Sequence, residues 1–97
     1  MAETVEVRNV NHPDARSWVD AARYALVREA MLTALPDAAP GMTAKTLREA
    51  MLPAVAEGFP GGAKLGWWET TVRLDLEARS LVARSSGSPL RFWRVRG

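Results

Sequence analysis

The chain has 97 residues, a length that suits one domain burying roughly 60 to 70% of the surface its unfolded form exposes. Hydrophobic residues at 47% and charged residues at 25% argue against a disordered chain and a membrane protein. The absence of Cys excludes a disulfide framework, a thiolate zinc site and a cysteine nucleophile. With no signal-peptide core and no apolar run of membrane length, we expect a cytoplasmic protein.

The charge of the chain is distributed unevenly. Residues 1–78 carry 8 basic and 11 acidic side chains, whereas all five charged side chains of residues 79–97 are Arg. A one-sided basic segment is typical of a surface that contacts nucleic acid or another anion. Arginine also suits the solvent side of a small hairpin, where charge discourages pairing between sheet edges, so both interpretations stay open.

The N-terminal segment alternates in hydrophobicity. Val5 and Val7 alternate with polar neighbours from residue 4 onward, which predicts a half-buried strand followed by a turn at residues 11–14. Residues 16–19 either return as a second strand or belong to a helix that begins at Ser17. We favour Asp20 as the N-cap of the first helix.

Three helices are predicted in the middle of the chain. Residues 21–35 are rich in strong helix formers and end before Pro36. Thr43 is a credible N-cap for a second helix, which we expect to end or kink near Leu52 because of Pro53 and to resume for about one turn. Phe59 is expected to anchor the following loop to the core, and the third helix runs from about residue 65 to residue 80.

The third helix has two apolar rows and one polar face when its residues are placed at 100° per position. The first row is Trp68, Val72 and Leu76, and the polar face is Glu69, Thr70, Arg73, Glu77 and Ser80. The second row, Trp67, Thr71, Leu74, Ala78 and Leu81, either lies under the N-terminal strands or forms a surface for a partner. We expect both indoles of the Trp67-Trp68 pair to be covered; the alternative is one exposed indole that stacks on a base or anchors a partner.

The chain ends in a predicted hairpin. Residues 81–84 form a strand, residues 85–89 a flexible turn and residues 90–95 the return strand. The run LEARSLVAR leading into SSGSPLRFWRV, after three helices, resembles the winged helix-turn-helix superfamily over about residues 20–96. Ser80 stands where many such domains have a glycine. The chain is also similar to a group of small bacterial proteins of unknown function that share the PGGAKLGWW and LDLEAR segments, a resemblance that implies no activity.

The winged-helix resemblance implies one α+β domain. Its parts would be an N-terminal strand or hairpin in residues 1–19, three helices in residues 20–80 and a two-stranded wing in residues 81–97. It also implies a DNA-binding regulator whose third helix lies in the major groove of double-stranded DNA. The positions that would contact DNA are Lys64, Thr70, Arg73, Arg84, Ser86, Arg91, Arg94 and Arg96. We expect a homodimer, because many proteins of this shape read paired half-sites.

Within that set, Arg73 is the best candidate for contact with a base edge. Glu69 and Glu77 lie one turn away on either side, so the three residues can equally form solvated salt bridges at i,i+4 spacing. The alternative function is a protein-protein interaction module that uses Trp67, Thr71, Leu74 and Ala78. His12 is the only histidine and has no second His or Cys to share a metal, so we expect no metal, no cofactor and no enzymatic activity.

Overall fold

The computed structural model describes residues 3–95 and contains three helices and two small antiparallel sheets, as expected for an α+β domain. Arg96, one of the predicted DNA contacts, lies outside the described residues. The elements in chain order are β1 (Thr4–Val7), β2 (Ser17–Asp20), α1 (Ala21–Ala34), α2 (Ala44–Val55), a short 3-10 turn (Pro60–Gly62), α3 (Leu65–Ala78), β3 (Val82–Arg84) and β4 (Phe92–Arg94).

The N-terminal strands pair as a hairpin, which decides between the two interpretations of residues 16–19. Val5 pairs with Val19 in the antiparallel register, and Val7 and Val19 turn their side chains into the core. The prediction that Asp20 is the N-cap of α1 is confirmed, because its carboxylate accepts the Arg23 N–H at 2.9 Å. The alternative helix start at Ser17 is therefore wrong.

The second helix is uninterrupted. The Thr43 hydroxyl accepts the Thr46 N–H at 3.2 Å, so the predicted N-cap is confirmed. The predicted end near Leu52 is wrong, since α2 runs through Pro53 to Val55, whereas a kink at that point stays a prediction. Pro53 removes only the hydrogen bond to the Glu49 carbonyl, and both residues are exposed, so water can hydrate that carbonyl.

The core is shared by all three helices and both sheets. Its fully buried side chains include Val27, Leu47, Met51, Val72 and Leu76. The predicted anchoring role of Phe59 is confirmed: the ring is 3% exposed and meets Trp68 edge-on, with 5.9 Å between ring centroids. Phe92 brings the C-terminal hairpin into the same core.

A single residue between α1 and α2 extends the C-terminal sheet. Met42 and Phe92 exchange both backbone hydrogen bonds, at 2.8 and 2.9 Å, so Met42 forms an antiparallel bridge with β4. Gly41 makes this approach possible: its φ is +77°, and a Cβ atom there would lie 2.2 Å from the Phe92 carbonyl oxygen. The hairpin β3–β4 is thereby attached to the start of α2.

Candidate functional site

Three members of the polar face of α3, Glu69, Arg73 and Glu77, point inward, toward the C-terminal hairpin. Glu69 is fully buried, and Arg73 and Glu77 are each 9% exposed. With partners from the neighbouring elements they form a chain of alternating charges, here named the charge ladder, which consists of Arg48, Glu69, Arg73, Glu77 and Arg84.

The charge ladder connects α2, α3 and β3. Glu69 accepts Arg73 Nε at 2.6 Å and lies 3.4 Å from Arg48 Nη1. Glu77 lies 4.0 Å from Arg73 Nη1 and accepts both Nε, at 3.2 Å, and Nη2 of Arg84. The Arg73 guanidinium also stacks on the Phe92 ring, 4.1 Å from its centroid. Buried pairs of this kind are costly to break, by about 3 to 5 kcal/mol when one partner is removed.

Two expectations about this face are therefore wrong. Arg73 does not point outward toward a base edge, because its side chain is enclosed by Glu69 and Phe92. The i,i+4 pairs are not solvated salt bridges either, since the hairpin covers them. Helical spacing predicted the pairing correctly but carries no information about which neighbour covers the helix.

The remaining predicted DNA contacts differ in accessibility. Arg84 belongs to the charge ladder, and the half-buried Arg94 donates Nη1 to the Leu32 carbonyl at 2.7 Å. The exposed members are Lys64, directly before α3, Thr70 on α3, and Ser86 and Arg91 in the loop between β3 and β4. The predicted arginines of the described part are thus engaged within the molecule, except for Arg91.

The first turn of α2 adds a cation that the sequence did not single out. Lys45 is exposed and lies three residues after Met42, whose backbone pairs with Phe92. Arg91 directly precedes Phe92 on the other side of that bridge. The Met42–Phe92 pairing therefore carries one exposed cation on each of the two chain segments that it joins.

The second apolar row of α3 borders the N-terminal hairpin. Trp67, Thr71 and Leu74 line a groove of about 170 Å³ whose other wall includes Arg8 and Arg16. Ala78 lines an adjoining depression with Arg8, Asn9, Val10 and Pro13. The structure thus brings the predicted protein-contact residues together along one boundary, and adds the hairpin residues that the sequence analysis missed.

The two tryptophans of α3 differ in exposure. Trp68 is 6% exposed and Trp67 is 57% exposed, so the expectation that both are covered is wrong. The rings meet edge-on, with centroids 5.3 Å apart and planes at 83°. A second exposed indole, Trp18 at 61%, lies on the outer face of the N-terminal hairpin, opposite Glu6 in the register.

A buried carboxylate ties this hairpin to the helices. Asp75 accepts the Arg8 backbone N–H at 2.7 Å, the Tyr24 hydroxyl, and Arg79 Nε at 3.0 Å from each oxygen. Arg79 also donates Nη2 to the Glu6 carbonyl at 3.2 Å. Burial and the hydrogen bond to Asp75 raise the pKa of Tyr24 to about 12, and the same carboxylate raises the pKa of Arg79.

Asp75 was not predicted from the sequence, although a signal was present. At 100° per residue Asp75 falls about 20° from Trp68, between the two apolar rows. A carboxylate at such a position requires buried donors. Tyr24 and Arg79 provide them, one from α1 and one from the C-terminal end of α3 itself.

Two other kinds of site are absent from residues 3–95. No group of three or more His, Asp or Glu side chains in this range is arranged to hold a metal ion. No helix in the same range has the length and apolar character needed to cross a membrane. What the described part of the chain offers is a set of exposed cations at the starts of α2 and α3 and in the loop between β3 and β4, and a groove beside α3.

Comparison with known proteins places the chain in a family. Neither the search of the curated proteins nor the search of the solved structures found a significant match. The model of a family of unknown function, DUF6958, matches residues 4–92, nearly the whole chain. The protein belongs to this family of unknown function (DUF6958).

Proposed function

We propose that the protein is a winged-helix DNA-binding protein with a regulatory role, in which α3 is the helix nearest the duplex and the β3–β4 hairpin is the wing. The observation that carries the proposal is the Met42–Phe92 bridge. It attaches β4 to the start of α2, so that the wing is held in place beside the helices. A helical unit with a rigidly attached basic hairpin suits contact with two neighbouring parts of a duplex.

The charges support this proposal in a different way from the sequence prediction. Lys45, Lys64 and Arg91 are exposed and lie at the starts of α2 and α3 and in the wing. Cations at such positions neutralise phosphates. The carboxylates of Glu69 and Glu77, which would have repelled phosphate on an exposed face, are buried against arginines of the charge ladder.

Fluorescence anisotropy with a labelled duplex at increasing salt tests the proposal. Three phosphate contacts give a slope of log affinity against log salt of about −2.7, and neutralising one cation reduces its magnitude by about 0.9. We expect that change for Arg91→Ala and for Lys64→Ala. Arg16→Ala is the matched control, because Arg16 is also exposed but lies on the N-terminal hairpin, directly before β2.

Two results would contradict the proposal. One is the absence of duplex binding at low salt. The other is an equal loss of binding in Arg16→Ala and Arg91→Ala, because the wing would then have no special part in the contact.

The groove beside α3 favours a second candidate function, contact with another protein. An indole exposed over 57% of its surface beside a groove is typical of an interface anchor. A second copy of the chain is the partner to test first, because paired copies would also present two wings to one duplex.

Sedimentation equilibrium over a range of concentrations tests this candidate. We expect self-association that Trp67→Ala removes. Trp18→Ala is the control, because Trp18 is equally exposed but lies on the outer face of the N-terminal hairpin. A monomer at all concentrations, or equal effects of the two substitutions, would exclude self-association through the groove.

A further inference from the structure

We infer that the protein binds duplex DNA of any sequence, by contact with the phosphate backbone and without reading bases through α3. This inference rests on the proposed function and specifies its substrate. It follows from the way in which the polar side chains of α3 are already engaged within the molecule.

Base reading in the major groove needs side chains with matched donors and acceptors. The effective ones are Arg or Lys for guanine, Asn or Gln for adenine, and Glu or Asp for cytosine. α3 has the sequence LGWWETTVRLDLEA, which contains one Arg and no Lys, Asn or Gln. The only side chains of this kind in α3 are therefore those of Arg73 and of three acids, Glu69, Asp75 and Glu77.

None of these four side chains is available to a base. Arg73 donates to Glu69 and is covered by Phe92, and Asp75 and Glu69 are fully buried. Glu77 is 9% exposed and bound to Arg84. Arg79, which follows the helix, is directed to Asp75 and to the Glu6 carbonyl. Freeing any one of them would leave a buried charge without its partner, which is strongly destabilising.

The accessible face of α3 carries little base-specific information. Gly66, Trp67 and Thr70 are exposed, and Thr71 and Leu74 are half-buried beside the hairpin. A threonine hydroxyl both donates and accepts a hydrogen bond, so it pairs with any base edge. An indole on this face supplies apolar area and no bidentate pattern.

The exposed cations fit phosphates better than bases. Lys45, Lys64 and Arg91 lie at the starts of two helices and in the wing, so they are carried by three separate elements. Contacts distributed in this way follow the backbone of a duplex and fix the orientation of the protein on it. The binding free energy that these phosphate contacts supply is the same for every duplex of equal length, whatever its base sequence.

Selection from a pool of random duplexes by the full chain, followed by sequencing, tests the inference. We expect no enriched motif. Dissociation constants for unrelated duplexes of one length should then agree within about threefold, whereas a sequence-specific protein separates them by about 10³-fold or more. Thr70→Ala should change all of these constants by the same factor.

The outcomes separate the inference from the proposed function. An enriched motif, or a sequence-dependent effect of Thr70→Ala, would overturn the inference while DNA binding stood. The absence of binding to any duplex at low salt would overturn both. Uniform binding with a salt slope that falls in Arg91→Ala would support both.

Discussion

Tyr24 is the only tyrosine of the chain, so its ionisation can be followed without interference from a second phenol. Burial and the hydrogen bond to Asp75 raise its pKa from 10.0 to about 12. Ultraviolet absorbance of the phenolate during an alkaline titration should therefore show a midpoint near pH 12 in the folded protein. In the urea-unfolded chain the midpoint should fall near pH 10.

The raised pKa of Tyr24 makes the free energy of unfolding depend on pH between pH 10 and pH 12. The folded pKa lies above the unfolded one, so between pH 10 and pH 12 the folded protein keeps a proton that the unfolded chain has lost. The stabilisation is complete below pH 10 and is lost as the pH rises to 12, by about 3 kcal/mol in total. Tyr24→Phe should remove this dependence, and a folded-state midpoint near pH 10 would contradict the prediction.

Individual residues also show where the sequence stops being informative. The rows of α3 were correctly separated by helical spacing, and Trp68, Val72 and Leu76 are all buried. Helical spacing does not predict which neighbouring element covers each face of the helix. Arg73 was expected outside and lies inside because the wing, whose sequence is more than ten residues away, packs Phe92 against it.

At the scale of elements, the attachment of the wing depends on Gly41. A methyl group at this position would meet the Phe92 carbonyl oxygen at 2.2 Å, and the φ of +77° is strained for any residue with a Cβ atom. We expect Gly41→Ala to lower the free energy of unfolding by about 3 kcal/mol, as measured by urea denaturation.

Gly61→Ala separates the two causes of that loss. Gly61 also has a positive φ, +68°, but a Cβ atom there has no neighbour within 4 Å. Gly61→Ala should lower the free energy of unfolding by only about 1 kcal/mol, because the left-handed backbone alone is unfavourable for alanine. Equal losses in the two variants would show that the close approach to Phe92 contributes nothing.

Most elements were predictable because their signals are local. Asp20 and Thr43 begin their helices through hydrogen bonds to residues three positions away, so composition and spacing were enough. Met42 was not predictable as part of a sheet, because a one-residue bridge leaves no alternating pattern. The groove beside α3 was partly predictable: one wall follows from helical spacing, and the N-terminal strands that form the other were one of the two predicted neighbours of that row.

At the scale of the whole molecule, Asp75 joins the N-terminal hairpin to the helices. Asp75→Asn keeps the size of the side chain but removes the negative charge and one of the acceptors for Arg8, Tyr24 and Arg79. We expect a loss of about 2 to 4 kcal/mol in the free energy of unfolding. Hydrogen exchange should show the largest loss of protection in β1 and β2.

Asp20→Asn is the control for this substitution. Asp20 caps α1 at an accessible position, and Asn is an equally good N-cap, so its replacement should be nearly neutral. If Asp75→Asn lowered the protection of the wing as much as that of β1 and β2, Asp75 would stabilise the domain in general and not the hairpin in particular.

The wing has a consequence for how this molecule can change. Its base is held by the charge ladder and by the Met42–Phe92 bridge, whereas residues 86–91 are all exposed. Insertions or new charges in residues 86–90 leave intact the hydrogen bonds between Ser85 and Arg91 that close the hairpin. Selection, or an engineer, can therefore adjust the length and charge of this loop for a new target without first compensating a loss of stability.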